Sequence, residues 1–238
     1  MSNRDRPLYA VLIDADNIPA RFAEAILKEI TSYGEPGLRR VYGDWSSPQL
    51  SQWSGKAKEL GLVAHQQSAN TKGKNASDIG LVIDAMDILH AGRFDGFVLV
   101  SSDSDFTRLA SRIREQGLDV IGIGASKTPE ALRNSCNRFV FLENIVEEPA
   151  EGPKGGTATA SGKKAPKDAT NLIVRAMDKI EQEDDWYTLG QIGQYIVADN
   201  PDFDTRSYGK RKLSDLVQEL KRFETKRVGN QLLIRRVD

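Results

Sequence analysis

The first 146 residues alternate short apolar segments with amphipathic ones, and this alternation restricts the folds that the chain can adopt. Strands separated by helices need crossover connections, which give a mostly parallel sheet with helices on both faces. The sequence therefore predicts a doubly wound, mostly parallel α/β domain over residues 1–146. Six segments are expected to contain its strands: residues 8–13, 37–45, 62–66, 96–100, 118–124 and 138–145.

A change in composition marks the end of this domain. Residues 147–167, EEPAEGPKGGTATASGKKAPK, are rich in Gly, Ala, Pro, Ser and Thr and contain no large apolar residue. Such a segment buries too little surface to offset its ordering entropy, so we interpret it as a flexible linker. The 238 residues are enough for one good core and a smaller second domain, expected at residues 168–238.

Composition excludes several classes of protein. The formal net charge is −1, so no global field selects a partner. Cys136 is the only cysteine, which excludes an internal disulfide and suits a reducing compartment. No apolar run approaches the length of a membrane span, and the first residues lack a signal-peptide core. We therefore expect a cytoplasmic protein that does not associate with membranes.

Two pairs of aspartates follow apolar strands at positions that a parallel sheet brings together. Asp14 and Asp16 follow the first strand, in YAVLIDADNIP, and Asp103 and Asp105 follow the fourth, in VLVSSDSDF. In a doubly wound sheet ligands bind beyond the carboxyl ends of the strands. Asp78 joins that edge from the start of the middle helix. Carboxylates grouped in this way are suited to hold a hard cation, Mg²⁺ or Mn²⁺, which in turn binds a phosphate.

Helix capping is the alternative interpretation of these polar residues. Asp and Asn are common N-caps, so Asp16, Asn17 or Ser104 would then only begin a helix, and Asn17 is the expected cap of the first one. Ser101 and Ser102 either bond the phosphate or shape the turn after the fourth strand. Because both pairs of aspartates fall on the same edge of one sheet, we favour the metal site.

The middle helix and the loop before it add further candidates. Relative to the apolar stripe of the helix, Asp78 lies at the edge and Asp84 nearly opposite, so Asp84 is assigned a supporting role only. Lys72 and Lys74 precede the helix in a polar loop. They would either neutralise the flanking phosphates of a nucleic acid or simply be solvated. The stripe expected to be buried consists of Ile79, Val82, Ile83 and Met86.

These motifs resemble those of a known family. VLIDADNIP, KGKNASDIGLVIDAM and VLVSSDSDFTRLASRIREQGLDVIGIG are similar to the three motifs of NYN domains, the PIN-like ribonuclease group, of the LabA-like kind. The resemblance covers about residues 8–146 and implies a PIN-like fold with a metal-dependent nuclease activity on RNA. The positions that match the family's acidic residues are Asp14, Asp78, Asp103 and Asp105, with Asn17 as its first-motif asparagine and Asp84 as a later helix acid.

Other activities share aspartate-rich strand ends. DADN resembles the DxD motif of haloacid dehalogenase-type phosphatases, but that family expects Thr or Val where this chain has Ile18. Toprim domains place a Glu after the first strand, where this chain has Asp14. The alternative from another functional class is a non-catalytic RNA-binding or regulatory adaptor that has kept the pocket.

Residues 168–238 have the pattern of a winged helix-turn-helix. Three amphipathic helices, in NLIVRAMDKI, TLGQIGQYI and TRSYGKRKLSDLVQELKRF, precede a hairpin, TKRVGNQLLIRR, with Gly229 and Asn230 at its turn. This arrangement is similar to LOTUS domains, also called OST-HTH, which accompany NYN domains and are thought to bind RNA.

The charge of this tail indicates which residues would bind nucleic acid. From Thr205 onward ten basic residues oppose four acidic ones, a balance typical of phosphate binding, with a solvated face or a protein-binding winged helix as alternatives. The combined interpretation is an endoribonuclease whose α/β domain cuts RNA and whose tethered winged helix holds it. A homodimer and a protein partner for the tail stay open. The residues expected to contact RNA here are Arg206, Lys210, Arg211, Lys212, Lys226 and Arg227.

Overall fold

The structure, a computed structural model, describes residues 5–66, 76–146, 164–182 and 184–237. It divides into two compact units, Met1–Glu147 and Glu148–Asp238, each with its own buried core. Of the predicted linker, residues 147–163 lie outside the described residues. The next residues belong to the second unit, where the backbone N–H of Lys164 donates to the carbonyl of Ser207 at 2.8 Å.

The first unit is built on a six-stranded sheet in which all neighbouring strands are parallel. Its strands are β1 Leu8–Asp14, β2 Glu35–Gly43, β3 Val63–Gln66, β4 Gly96–Val100, β5 Asp119–Gly124 and β6 Arg138–Phe141. Their spatial order is β3-β2-β1-β4-β5-β6. The chain therefore begins in the middle of the sheet, winds to one edge, and returns past β1 to reach the other. The winding reverses between β1 and β4, which are neighbours.

Helices cover both faces of this sheet. They are α1 Ala23–Ile30, α2 Ser51–Leu60, α3 Ala76–His90, α4 Thr107–Glu115, α5 Glu130–Ser135 and α6 Leu142–Ile145. Residues of α1 and α2, such as Ile26 and Trp53, pack in one hydrophobic cluster, and residues of α3, α4 and α5 pack in the other. The predicted doubly wound α/β fold is confirmed.

Helix α3 buries a different face from the one that its apolar stripe predicted. Leu81 and Ala85 are buried, whereas Ile79 and Ile83 are 59% and 58% exposed. The prediction was wrong because this helix carries apolar residues on almost every side, so periodicity alone does not select a face. The buried face is the one that packs on β1 and β2, and Asp84 lies beside it.

In the described residues of the second unit, three α-helices and the hairpin that the winged helix-turn-helix pattern predicted are joined by a short further strand, which makes the antiparallel sheet three-stranded. The elements are α7 Thr170–Lys179, β7 Tyr187–Thr188, α8 Leu189–Asp199, α9 Leu213–Glu219, β8 Phe223–Val228 and β9 Gln231–Arg236. The sheet order is β7-β9-β8. Val228 pairs with Gln231 across the two-residue turn, and Gly229 has a φ of 57°, a left-handed conformation that glycine adopts without strain.

The third helix of this unit is shorter than its sequence pattern predicted. Thr205–Tyr208 forms a separate 3₁₀ turn that ends at Gly209, whose φ is 72°, and α9 begins only at Leu213. Glycine in the left-handed conformation is a common helix terminator, and here it divides the predicted helix in two. Lys210, Arg211 and Lys212 consequently precede α9 instead of lying along it.

Among the helices in the described ranges, none combines the length and the hydropathy that crossing a bilayer requires.

Candidate active site

The ends of β1 and β4 are joined by hydrogen bonds at the point where the sheet reverses its winding. Asp14 is 3% exposed, and its carboxylate accepts from the hydroxyl of Ser101 at 2.8 Å and from the backbone N–H of Asn17 at 3.2 Å. The Ser101 hydroxyl accepts in turn from the backbone N–H of Asp103 at 3.1 Å. The buried Ser101 therefore couples Asp14 to the loop that carries the aspartates after β4.

Asn17 and Ser102 form a second bridge across the same edge. The side-chain oxygen of Asn17 accepts from the backbone N–H of Ser102 at 3.1 Å, and the Ser102 hydroxyl accepts from the N–H of Ala125 at 2.8 Å. The prediction that Asn17 caps the first helix is wrong. That segment starts with a 3₁₀ turn at Ala20–Phe22, and Asn17 instead fixes the loop after β4.

Three carboxylates converge next to these bridges. Asp78, in the first turn of α3, and Asp103 and Asp105, after β4, offer oxygen atoms that all lie within 4.8 Å of one another. We refer to these three residues as the acidic cluster. Asp103 also accepts a hydrogen bond from the N–H of Asp105 at 2.9 Å, so it caps the turn after β4 and belongs to the acidic cluster at the same time.

The acidic cluster has the electrostatics of a cation site. Burial raises the pKa of Asp78, and the charges of Asp103, Asp105 and Asp16 raise it further. Like charges this close repel one another unless a proton or a cation lies among them. Carboxylate oxygens are the ligands that hard divalent cations prefer, so the donor atoms present fit Mg²⁺ or Mn²⁺.

Asp14, the fourth predicted ligand, lies outside the acidic cluster and differs from it in environment. Burial raises the pKa of Asp14 from its ordinary value of 3.8 to about 7, with smaller increases from the charges of Asp78 and Asp16. The hydrogen bonds from Ser101 and Asn17 act in the opposite direction. Near neutral pH this carboxyl group therefore exchanges between its protonated and ionised forms.

Replacing Asp14 by asparagine should change how stability depends on pH. The folded carboxyl keeps its proton up to pH about 7, whereas in the unfolded chain it ionises near its ordinary pKa of 3.8. The stability that the Asp14 carboxyl contributes in its protonated form is thus fully present below pH about 4 and is lost as the pH rises through about 7. The variant lacks this titration, so its free energy of unfolding relative to the wild type should rise by up to about 4 kcal/mol between those limits.

Urea unfolding of both proteins, with a chelator present and at several pH values, measures this difference. The exposed Asp87→Asn variant changes the same group without changing a buried carboxyl, so its profile should follow that of the wild type. Parallel profiles for wild type and Asp14→Asn would show that Asp14 does not hold a proton in the folded state.

Asp84 contacts residues of β2 and does not belong to the acidic cluster. Its carboxylate forms an ion pair with Arg40 and accepts a hydrogen bond from the hydroxyl of Tyr42. Burial, followed by the hydrogen bond to Asp84 and the charge of Asp84, raises the pKa of Tyr42. These contacts tie the middle of α3 to the sheet, so any support that Asp84 gives to the site acts through the position of the helix.

Sequence reasoning counted Asp16 in one of the two aspartate pairs, with capping as the alternative, and did not include it among the ligands; its charge acts on two of the candidate ligands. It is exposed, and its charge raises the pKa of both Asp14 and Asp78. The signal in the sequence was the spacing of two between Asp14 and Asp16, which repeats that of Asp103 and Asp105. Lys72 and Lys74, by contrast, lie outside the described residues.

The basic residues predicted for the second unit fall into two groups. Arg206 binds the buried Asp204 at 2.7 Å, and Lys210 forms an ion pair with Glu219, so both have partners within the fold. Four others are exposed, and one of them, Lys226, lies 3.9 Å from the centre of the Trp186 ring. The exposed group consists of Arg211, Lys212, Lys226 and Arg227.

Comparison with protein-family models assigns both units. The model of the NYN domain matches residues 9–143, more than half of the chain. The chain belongs to the NYN domain family. The model of the OST-HTH/LOTUS domain matches residues 162–234, so an NYN domain is followed by an OST-HTH domain, as the sequence motifs predicted. Membership in the NYN family removes the grounds for a haloacid dehalogenase-type phosphatase.

One solved structure similar to this chain supports its fold, and the fold alone. A protein of unknown function from Vibrio parahaemolyticus is 20% identical, with a TM-score of 0.50, over 61% of this chain and 98% of its own. An uncharacterized protein from Nitrosomonas europaea is 26% identical over 39% of this chain and 93% of its own, with a TM-score of 0.27. A comparison with curated proteins found no match.

Proposed function

We propose that this protein is a metal-dependent endoribonuclease, in which the NYN domain hydrolyses RNA phosphodiester bonds and the OST-HTH domain holds the RNA. The observation that carries the proposal is the acidic cluster, Asp78, Asp103 and Asp105, at the edge of the sheet where doubly wound folds bind ligands. It occurs in a domain of a PIN-like nuclease family, joined to a domain of a kind that binds RNA.

The acidic cluster would hold the cation, with Asp14 as a further carboxylate at the same edge. A bound Mg²⁺ or Mn²⁺ supplies a water of lowered pKa and offsets the negative charge of the phosphate. Three carboxylates alone would repel an RNA phosphate, so the proposed activity requires a cation. Asp78, Asp103 and Asp105 are therefore proposed as ligands and not as groups that contact RNA directly.

The other polar residues of the edge position these groups. Ser101 bridges Asp14 and the backbone of Asp103, and Asn17 holds the backbone of Ser102. With a pKa of about 7, Asp14 can take up or release a proton at neutral pH, which is the range that general acid–base catalysis needs. We propose that Asp14 acts as a ligand when ionised and that Ser101 keeps it oriented towards the cluster.

The experiment that tests this proposal is cleavage of mixed RNA by the purified full chain, with Mg²⁺, with Mn²⁺ and with a chelator. Internal cuts that need one of the two cations are the expected result, and thermal unfolding should shift upwards with the same cation. Cleavage that persists with the chelator would contradict the metal site. A protein that binds RNA but stays inert with every divalent cation would be the non-catalytic adaptor.

A further inference from the structure

A cleft of about 280 Å³ opens beside the loop that follows β1. One wall consists of that loop, with Asp16 and Asn17, and the other consists of the 3₁₀ turn Pro48–Leu50 and the start of α2, with Gln49 and Gln52. Its floor is apolar and includes the buried Trp53. The cleft is thus polar on its walls and apolar at its base.

Buried contacts hold the cleft in shape. Trp53 is 1% exposed, and its indole N–H donates to the backbone carbonyl of Ile18 at 2.7 Å. This bond fixes α2 against the loop after β1. At the end of β2 the packing is equally close, since a Cβ on Gly43 would lie 2.5 Å from a methyl carbon of Leu50. The cleft is therefore preformed and does not need a ligand to open it.

The loop after β1, which lines the cleft, also bonds to the loop after β4 that carries Asp103 and Asp105. Asn17 lines the cleft and accepts the hydrogen bond from Ser102 in the loop after β4. Asp16 lines it as well, and its charge reaches Asp78 and Asp14. A nucleotide whose phosphate lies at the acidic cluster could accordingly place its base, or that of its neighbour, in the cleft.

The residues that line the cleft favour a nucleobase over a phosphate. Among the described residues that line the cleft none is a lysine or an arginine, and Asp16 adds negative charge, so the cleft disfavours a phosphate. Gln49 and Gln52 are exposed, and their spacing of three places them on one side of the helix start. Their carboxamides offer both donors and acceptors, which match the edge of a base, and the apolar floor suits its ring.

We propose that this cleft binds one unpaired nucleobase next to the phosphate that is cut, and that Gln49 and Gln52 recognise its edge. The volume suits one base and its ribose, because it lies at the lower end of the range for small-ligand pockets. The proposal rests on the proposed nuclease function, to which it adds a preference for sequence at the cut.

The first test maps the cuts that the full chain makes in a pool of random single-stranded RNA. One base should occur about tenfold more often than the others at a fixed position beside the cut, the discrimination expected of a good amide–base pair. In Gln49→Ala and Gln52→Ala this preference should fall to about twofold, while cuts continue. Gln116→Ala, the same change at the exposed end of α4, should keep the preference of the wild type.

The second test measures binding without cleavage. The side-chain amide signals of Gln49 and Gln52 in the full chain are followed by NMR during titration with each of the four nucleoside 5′-monophosphates and with ribose 5-phosphate. Shifts that are largest for one base support the proposal. Equal shifts with all five compounds, or none, would overturn it.

Together the two tests separate the cleft from the nuclease activity. RNA cut with an even base distribution, with no base-selective shift, would refute the base cleft and leave the nuclease intact. Base-selective shifts in a protein that cuts nothing would refute the nuclease and leave the base cleft intact. A preference that survives in both glutamine variants would refute the assignment of Gln49 and Gln52.

Discussion

Replacing Asp103 by asparagine should lower metal-dependent RNA cleavage by at least about a hundredfold, the order of loss that follows removal of one catalytic group. The side chain keeps its shape and its oxygen can still accept from the N–H of Asp105, so the turn after β4 should persist. What is lost is one negative charge of the acidic cluster, and with it most of the affinity for a divalent cation. Cleavage rates over a range of Mn²⁺ concentrations, with thermal unfolding as the check on the fold, measure both effects.

Asp87→Asn is the matched control for this variant. Asp87 is exposed on α3, nine residues after Asp78, and the same change of charge there should leave cleavage and its Mn²⁺ dependence as in the wild type. Full activity in Asp103→Asn, with contaminating nuclease excluded, would refute the site. An equal loss in both variants would mean that overall charge matters and that the acidic cluster does not.

The positions of the strands could be predicted because each one is a short apolar segment between helices of clear amphipathic pattern. Parallel pairing follows from the crossovers, and the ligand-binding edge follows from parallel pairing. That reasoning places Asp14, Asp103 and Asp105 at one edge, which Asp78 joins from the start of α3. The shared edge depends only on where strands end, which the sequence shows well.

Side-chain orientation was less predictable than strand position. Helix α3 has apolar residues on nearly all sides, so the sequence did not reveal that Leu81 faces the core while Ile79 faces solvent. The partners of Asp84 are Arg40 and Tyr42, which lie more than forty residues away along the chain. No local pattern encodes a contact of that kind, since it exists only after β2 and α3 have packed together.

The same limit explains the contacts and residues that sequence reasoning missed. Asn17 was assigned a supporting role and expected to cap the first helix, because Asn is common at that position, but its side chain instead accepts a long-range hydrogen bond from Ser102. Gln49 and Gln52 lie in a polar segment with no motif, and only the packing of Trp53 on Ile18 turns them into the wall of a cleft. In the tail, Gly209 divides a helix that the apolar spacing of α9 had suggested was continuous.

Removing residues 164–238 of the second unit should weaken RNA binding by roughly a hundredfold, the order of gain that a second tethered site provides. The rate at saturating RNA should be nearly unchanged, because every proposed cation ligand lies in the first unit. The loss should therefore appear as a higher KM with a similar kcat. Steady-state cleavage at several RNA concentrations, with the full chain alongside, separates the two parameters.

Point variants can assign this effect to particular cations. Arg211→Ala combined with Lys212→Ala removes two exposed charges before α9, so the slope of log affinity against log salt should fall by about two. Arg206→Ala is unsuitable for this purpose, because Arg206 holds the buried Asp204 and its loss should destabilise the fold by about 2 kcal/mol. Arg175 is an exposed cation of α7, so Arg175→Ala is the matched control and should leave the slope unchanged.

The outcome distinguishes the two partners that the tail could hold. One outcome is that deletion raises KM, and that the variant without the Arg211 and Lys212 charges reproduces a part of that increase that changes with the salt concentration. In that case the tail binds the RNA backbone through its exposed cations. If deletion leaves KM unchanged at low salt, where phosphate contacts are strongest, the tail is not a holder of RNA. Its exposed basic residues would then serve a protein partner, because the same charges that attract phosphate also attract an acidic protein surface.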